Sequence, residues 1–203
     1  MAPAVIAGLG NPGSEYADTR HNVGRHVLAA FAARLNANFA GGATAVRAAH
    51  GGRTLWLLKP CVYMNESGRG IAPHLRYHRI PAGNLLVIHD DITLEPGTMK
   101  LSTGGGDGGH NGIASILQNL PNTFARLRIG IGGKHYPGQD LAAHVLGKLS
   151  PEELAIHAAR LDNYLNAVEI WLAQGTALAQ NQINKKTKTP IQQTTPTISP
   201  ATT

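Results

Sequence analysis

One histidine, one tandem pair of acids and three asparagines are the residues of this chain whose types and placing could do chemistry. The histidine is His21, in Thr19-Arg20-His21-Asn22. The acids follow a second histidine in His89-Asp90-Asp91, and the carboxamides are Asn11, Asn65 and Asn111. A histidine held by a carboxylate can take a proton from water, and side-chain amides can donate N–H groups to the oxyanion that results. A covalent nucleophile is not in evidence: no serine lies in Gly-x-Ser-x-Gly, and Cys61 beside Pro60 has no evident activator. His89, Asp90, Asp91 and His110 invite a metal reading, but neither His-Glu-x-x-His nor paired cysteines support it. Taken singly, each residue also has a plain role. Asparagines and aspartates form turns, and His21 could be a turn histidine. Their joint placement carries the argument.

That placement depends on the strands. Val5–Leu9, Thr54–Leu58 and Asn84–Ile88 are short apolar runs that read as buried strands. Asn11 follows the first, Tyr63-Met64-Asn65 the second, and His89-Asp90-Asp91 the third. In open α/β sheets, ligands bind beyond the carboxyl ends of the strands. If these runs are neighbours, Asn11, His21, Asn65 and Asp90 converge on one crevice. Between them, helical spacing is expected over Gly24–Leu35, 68–78 (despite Pro73) and Ile113–Leu120, with further strands at Met99–Leu101 and Leu127–Ile131. Ser150-Pro151-Glu152-Glu153 is a capping box. It opens a helix whose core stripe is expected to be Leu154, Ala158, Leu161, Leu165, Val168 and Leu172, running to Gly175. Alternating strands and helices predict a single α/β domain over 1–180, with a twisted mixed, largely parallel sheet flanked by helices. Residues 181–203, rich in Thr, Gln and Pro, are expected to be a disordered tail.

Two glycine-rich segments bear on function. Gly8-Leu9-Gly10-Asn11-Pro12-Gly13 matches the dinucleotide fingerprint in letters. However, Pro12 interrupts it, no helix opens at once, and no acid lies between Asp18 and Glu66 to hold a ribose. An NADP variant using Arg34 is the form of that reading left open. The second segment, residues 104–112, lacks the Lys-Ser/Thr of a phosphate loop. It is either a surface linker or a loop whose backbone N–H groups approach an oxygen ligand, with His110 and Asn111 at the entrance of the following helix.

Composition bounds the rest. Of 203 residues, 42% are hydrophobic and 15% charged, which supports a packed core. The 18 basic and 12 acidic residues leave +6, and Lys185, Lys186 and Lys188 near the C-terminus supply half of that. Such a balance permits a polyanionic partner without requiring one. The lone Cys61 excludes a disulfide framework. The N-terminal sequence reads as a strand and turn, not a signal peptide, and no run reaches the ~18 apolar residues of a membrane span. No membrane partner and a cytoplasmic monomer are expected.

Five stretches together resemble the bacterial-type peptidyl-tRNA hydrolase family: GLGNPGSEYADTRHNVG at 8–24, KPCVYMNESG at 59–68, VIHDDITLEPG at 87–97, GGGDGGHNG at 104–112 and RLRIGIGG at 126–133. The resemblance implies hydrolysis of the ester joining a peptide to the 3′ ribose of tRNA, with no metal and no cofactor. His21 would be the general base and Asp90 its orienting carboxylate. Asn11 would help tell a blocked amino group from a free one, and Asn65 would stabilise the oxyanion. Asn65 and Asn111 would hold substrate, while Tyr16, Tyr63, Met64 and His110 would line the site. Lys100 and Arg128 would grip the acceptor stem. Ser102 stands where that family often has Lys, and Thr93 where it often has Asp. The rival reading is a non-catalytic relative that keeps the fold and docks partners.

Overall fold

The computed structural model describes residues 2–133, 138 and 140–186. Its centre is a six-stranded sheet made of β1 (Ala4–Gly8), β2 (Ala45–His50), β3 (Arg53–Leu58), β4 (Leu85–Asp91), β5 (Met99–Thr103) and β6 (Ala125–Gly130), in the order β2-β3-β1-β4-β6-β5. The inner strands β3, β1, β4 and β6 run parallel, and β2 and β5 close the two edges antiparallel. The sheet is mixed and largely parallel, as the sequence predicts. β1 is buried along its whole length, because apolar layers cover both faces of a central parallel strand. Successive residues alternate between those layers. Ile6, Leu86 and Ile88 join α1 (Val23–Arg34) and α5 (Pro151–Lys186) on one face. Val5, Ala7, Leu85 and Val87 meet α2 (Ser67–Tyr77) and α3 (Asn111–Asn119) on the other.

The connection from β1 goes to β3 on one side, and β3 returns through α2 to β4 on the other. The crevice beyond β1 and β4 is therefore the switch point where α/β sheets bind ligands. Two glycines bring the flanking helix down onto it. A Cβ on Gly8 would run into the Gly24 carbonyl, and one on Gly24 into the Ile88 carbonyl. Only glycine at these places lets α1 start directly on the ends of β1 and β4. The single turn before α1, Arg20–Asn22, is thereby pressed against the end of β4.

Several elements differ from their expected form. α2 runs through Pro73, which faces solvent while Ile71, Ala72 and Leu75 bury the opposite side. β2 was not legible as a strand because Ala45–His50 is alanine-rich. It pairs with β3 across a hairpin at Gly51–Gly52, both at positive φ (55° and 73°). A short α4 (Leu141–Leu146) also escaped the pattern; Asp140 caps it, accepting from Ala143 N at 3.1 Å. At the start of α5 the expected stripe is shifted. Leu154 is 44% exposed and Ala158 is exposed, whereas Glu153, His157 and Tyr164 turn inward. The cause is the ion pair of Glu153, which sets the rotation of the first turns.

The end of the chain also departs from expectation. The helix breaks at Gly175 (φ 73°, ψ 173°) and resumes to Lys186, so residues 181–186 belong to the folded body and not to a tail. Ala179 and Ile183 are buried in the main core, and the Asn184 carboxamide bonds to both backbone groups of Leu101 on β5. The remainder of the expected tail, 187–203, lies outside the described residues. Among the described residues no helix is long and apolar enough to cross a membrane.

Candidate active site

Beyond the carboxyl ends of β1 and β4 lies a cavity of about 1200 Å³. Asn11, Tyr16, His21, Tyr63, Met64, Asn65, Asp90, His110, Asn111 and Arg128 all line it, so nearly every residue singled out by the sequence meets here. At its floor, Asp90 at the end of β4 is 2% exposed. His21 Nδ1 lies 2.9 Å from Asp90 Oδ1 and 3.0 Å from Oδ2. His110 Nε2 reaches the same Oδ1 at 3.0 Å. Burial alone would raise the Asp90 carboxyl, but the His110 and His21 rings outweigh it and hold it well below the usual carboxylate range.

The bonds fix the ring tautomers. His110 caps α3, its Nδ1 accepting from Gly112 N at 3.1 Å and from Ile113 N at 3.3 Å. An acceptor at Nδ1 leaves the proton on Nε2, so His110 donates to Asp90. An ionised Asp90 can only accept, so His21 Nδ1 is also a donor. In the neutral ring the lone pair of His21 therefore falls on Nε2.

His89 supports the floor from beneath. Its Nδ1 donates to the Asp90 backbone oxygen at 2.7 Å, and its ring meets that of His110 edge-on with centroids 4.7 Å apart. Burial first, then the neighbouring His110, pushes its pKa down to about 3, against the opposing pull of Asp90 and Asp91. It is a neutral support at any working pH.

The carboxamides differ in how they are held. Asn11 is locked: its backbone N and O both bond to the Asn22 side chain, and its Oδ1 accepts from Met64 N at 2.7 Å. With the oxygen occupied, the Asn11 amide offers N–H donors to the cavity. Asn65, in the Met64–Glu66 turn, and Asn111, at the first position of α3, are exposed on the cavity walls. Tyr63 (56% exposed) stands edge-on to Tyr16 at 6.5 Å, making an aromatic lip. Met64 lies buried under the same turn.

The basic wall is less simple than the sequence suggested. Arg128 reaches the cavity, but its Nε donates to Asp91 Oδ2 at 2.5 Å, which offsets its charge. Thr93 fits the same arrangement, its hydroxyl bonding to Asp91 Oδ1 at 2.6 Å. Lys100 pairs with Arg128 across β5 and β6 yet is not among the cavity-lining residues; Ser102 is. Arg126 was not singled out. It donates to the carbonyls of Gly105 and Gly106, tying down the glycine-rich loop that forms one rim of the cavity. Its signal was there: two places before Arg128 on one strand, it must share that residue's face. Opposite, α4 contributes an apolar wall of Leu141, Ala142, Val145 and Leu146.

Arg20, beside His21 in sequence, points away from the cavity. Its guanidinium grips Glu153 with both Nε (2.8 Å) and a terminal nitrogen (2.7 Å), and its backbone N bonds to Gly147 O at 3.1 Å. Glu153 Oε2 also accepts from Ser150 N at 2.7 Å, completing the capping box read from the sequence. The turn carrying His21 is thus tied to the start of α5.

A metal ion is the alternative use of this centre. Ligand atoms of His21, Asp90 and His110 lie within 4.8 Å of one another. His110, however, has its Nδ1 on the backbone of α3 and directs its Nε2 N–H at the carboxylate, so it would have to give up that proton to serve as a ligand.

A doubly wound α/β sheet with a histidine–carboxylate pair and oriented carboxamides at its switch point is an arrangement suited to acid–base chemistry. The sequence profile described as peptidyl-tRNA hydrolase matches residues 5–191. A peptidyl-tRNA hydrolase of Mycobacterium tuberculosis is 44% identical over 188 residues, covering 90% of this chain and 97% of its own. One from Histophilus somni is 41% identical over 189 residues, covering 89% and 95%. The crystal structure of peptidyl-tRNA hydrolase from Acinetobacter baumannii superposes with a TM-score of 0.80 at 36% identity, covering 90% of this chain and 94% of the other. The chain belongs to the peptidyl-tRNA hydrolase family.

Proposed function

We propose that the protein hydrolyses the ester between a peptide and the 3′ ribose of tRNA, by general-base activation of water at His21 and without a metal. The observation that carries this reading is the 2.9 Å contact of His21 Nδ1 with buried Asp90, which in the neutral ring puts the lone pair on Nε2. Nε2 takes a proton from a water molecule, and the resulting hydroxide attacks the ester carbonyl. Asp90 stabilises the imidazolium that forms. N–H donors from Asn65 receive the oxyanion charge as it develops. Collapse breaks the ester, and the imidazolium returns its proton to the departing ribose oxygen.

The Asn11 amide, its oxygen turned to Met64 N and its N–H groups to the cavity, suits a peptide carbonyl. A free α-ammonium would set donor against donor. Tyr16 and Tyr63 suit stacking with the terminal nucleotide, and Asn111 a hydrogen bond to the substrate backbone. Lys100 and Arg128 on adjacent strands suit the phosphates of the acceptor stem. In this reading the chain acts alone in the cytoplasm, returning tRNA to translation.

The test is incubation with N-acetyl-aminoacyl-tRNA and, separately, unblocked aminoacyl-tRNA. Release of the acetylated amino acid, unaffected by a chelator, with the unblocked substrate spared, is the expected result. Intact acetylated substrate after prolonged incubation overturns the proposal, and loss of activity with chelator overturns its metal-free form.

A further inference from the structure

Outside the cavity, one polar side chain does the work of a missing strand. β5 is an edge strand, and its outward backbone groups need partners or water. At Leu101 both are satisfied by a single residue. Leu101 N donates to Asn184 Oδ1 at 2.9 Å, and Asn184 Nδ2 donates to Leu101 O at 3.0 Å. The carboxamide thus copies the two-bond pairing of a β-bridge. It is brought there by the break at Gly175, whose left-handed conformation redirects the helix, and is held by Ala179 and Ile183 in the core.

Leu101 is one residue from Ser102, which lines the cavity, and two from Thr103, after which the glycine-rich rim begins. Gly104, Gly105, Gly108 and Gly109 all have positive φ, and nothing packs where a Cβ would be. The rim has little of its own to hold it. Besides the turn at Asp107, which accepts from Gly109 N and His110 N, its anchors are Arg126 and Asn122 on the Gly105 and Gly106 carbonyls and β5 at its root.

We propose that Asn184 is a positioning residue for substrate binding: by clamping Leu101 it fixes the root of the Ser102–Gly109 rim and keeps that rim set for the tRNA end. The inference rests on the function proposed above. In this inference Asn184 touches no substrate and acts through Leu101 on β5.

Asn184→Ala and Asn184→Asp test it, the second keeping size and an acceptor for Leu101 N but losing the donor to Leu101 O. Amide exchange at Leu101 is expected to quicken about tenfold, the share of two net hydrogen bonds in local opening. KM for acetylated aminoacyl-tRNA is expected to rise several-fold with kcat nearly unchanged, because the His21–Asp90 pair is untouched. A KM equal to that of the parent despite faster exchange at Leu101 overturns the inference. So does a fall in kcat that tracks the folded fraction seen by thermal unfolding, since that marks a merely structural role. If the parent itself cleaves nothing, the proposed function fails, whereas the exchange result at Leu101 still reports on the clamp.

Discussion

Asp90 Oδ1 accepts from His110 Nε2 at 3.0 Å while also facing His21 Nδ1 at 2.9 Å, so one carboxylate oxygen serves two rings. His110 spends its other nitrogen capping α3. It therefore joins the helix that carries Asn111 to the carboxylate that meets His21. His110→Asn keeps a capping side chain but cannot reach Asp90 as the ring does; His110→Ala loses both functions. Both variants are expected to lose about 10- to 100-fold in single-turnover cleavage, the equivalent of a charge-assisted hydrogen bond. Only the alanine variant is expected to lose a further ~1 kcal/mol of stability in urea unfolding.

The base proposed at His21 gives a sharper expectation. His21→Ala should lower single-turnover cleavage by about 10²–10⁴-fold while tRNA affinity stays near that of the parent. Asp90→Asn should cost a similar factor. An amide at that place offers a donor to one of two ring N–H groups, and a ring must turn over to suit it. Near-normal cleavage by His21→Ala would remove His21 from the mechanism.

Buried His89 makes stability depend on pH. Its folded pKa is about 3, whereas an unfolded histidine titrates near ~6.5. Between those values the unfolded chain binds a proton that the folded chain refuses. Stability is therefore complete above ~6.5 and falls as the pH drops, by up to ~1.4 kcal/mol per unit from this group. The groups facing it (His110, Asp90 and Asp91) remain in a His89→Gln variant. That variant is expected to lose about 2 kcal/mol less than the parent between pH 7 and pH 5 in urea titrations. Parallel acid limbs would show that the ring is not the source.

Arg20 and Glu153 form a pair with side chains only 8% and 11% exposed. Removing one partner strands a buried charge. Arg20→Leu is expected to cost about 3–5 kcal/mol, a drop in Tm on the order of 10 °C. The Arg20→Leu, Glu153→Leu double variant should recover part of that loss, because no lone charge is left. Calorimetry distinguishes the two, and a single variant as stable as the parent would mean the pair contributes nothing.

The sequence disclosed most of the centre because its residues sit where chain geometry forces them. Asn11 follows one buried strand and Asp90 ends another, and their meeting, conditional on those strands being neighbours, holds because β1 and β4 pair in parallel. His21 was legible for the same reason, one turn before a helix whose Gly24 demands close packing. What stayed hidden depends on contacts between distant segments. Nothing in a local pattern says that His110 turns one nitrogen to Asp90 and the other to its own helix, or that Arg128 gives its charge to Asp91. The same holds for Asn184. A polar, Thr- and Gln-rich end reads as unable to order itself, and only its docking on β5 shows that two buried aliphatic residues and one carboxamide suffice through Lys186.

The last helix braces the molecule at two places, through Glu153 beside the base and through Asn184 at the far edge of the sheet. Every cavity residue is numbered lower than either brace. During synthesis from the N-terminus, the reacting groups leave the ribosome first and the struts that stiffen them leave last. A nascent copy can thus carry all of these cavity-lining side chains before both braces have emerged.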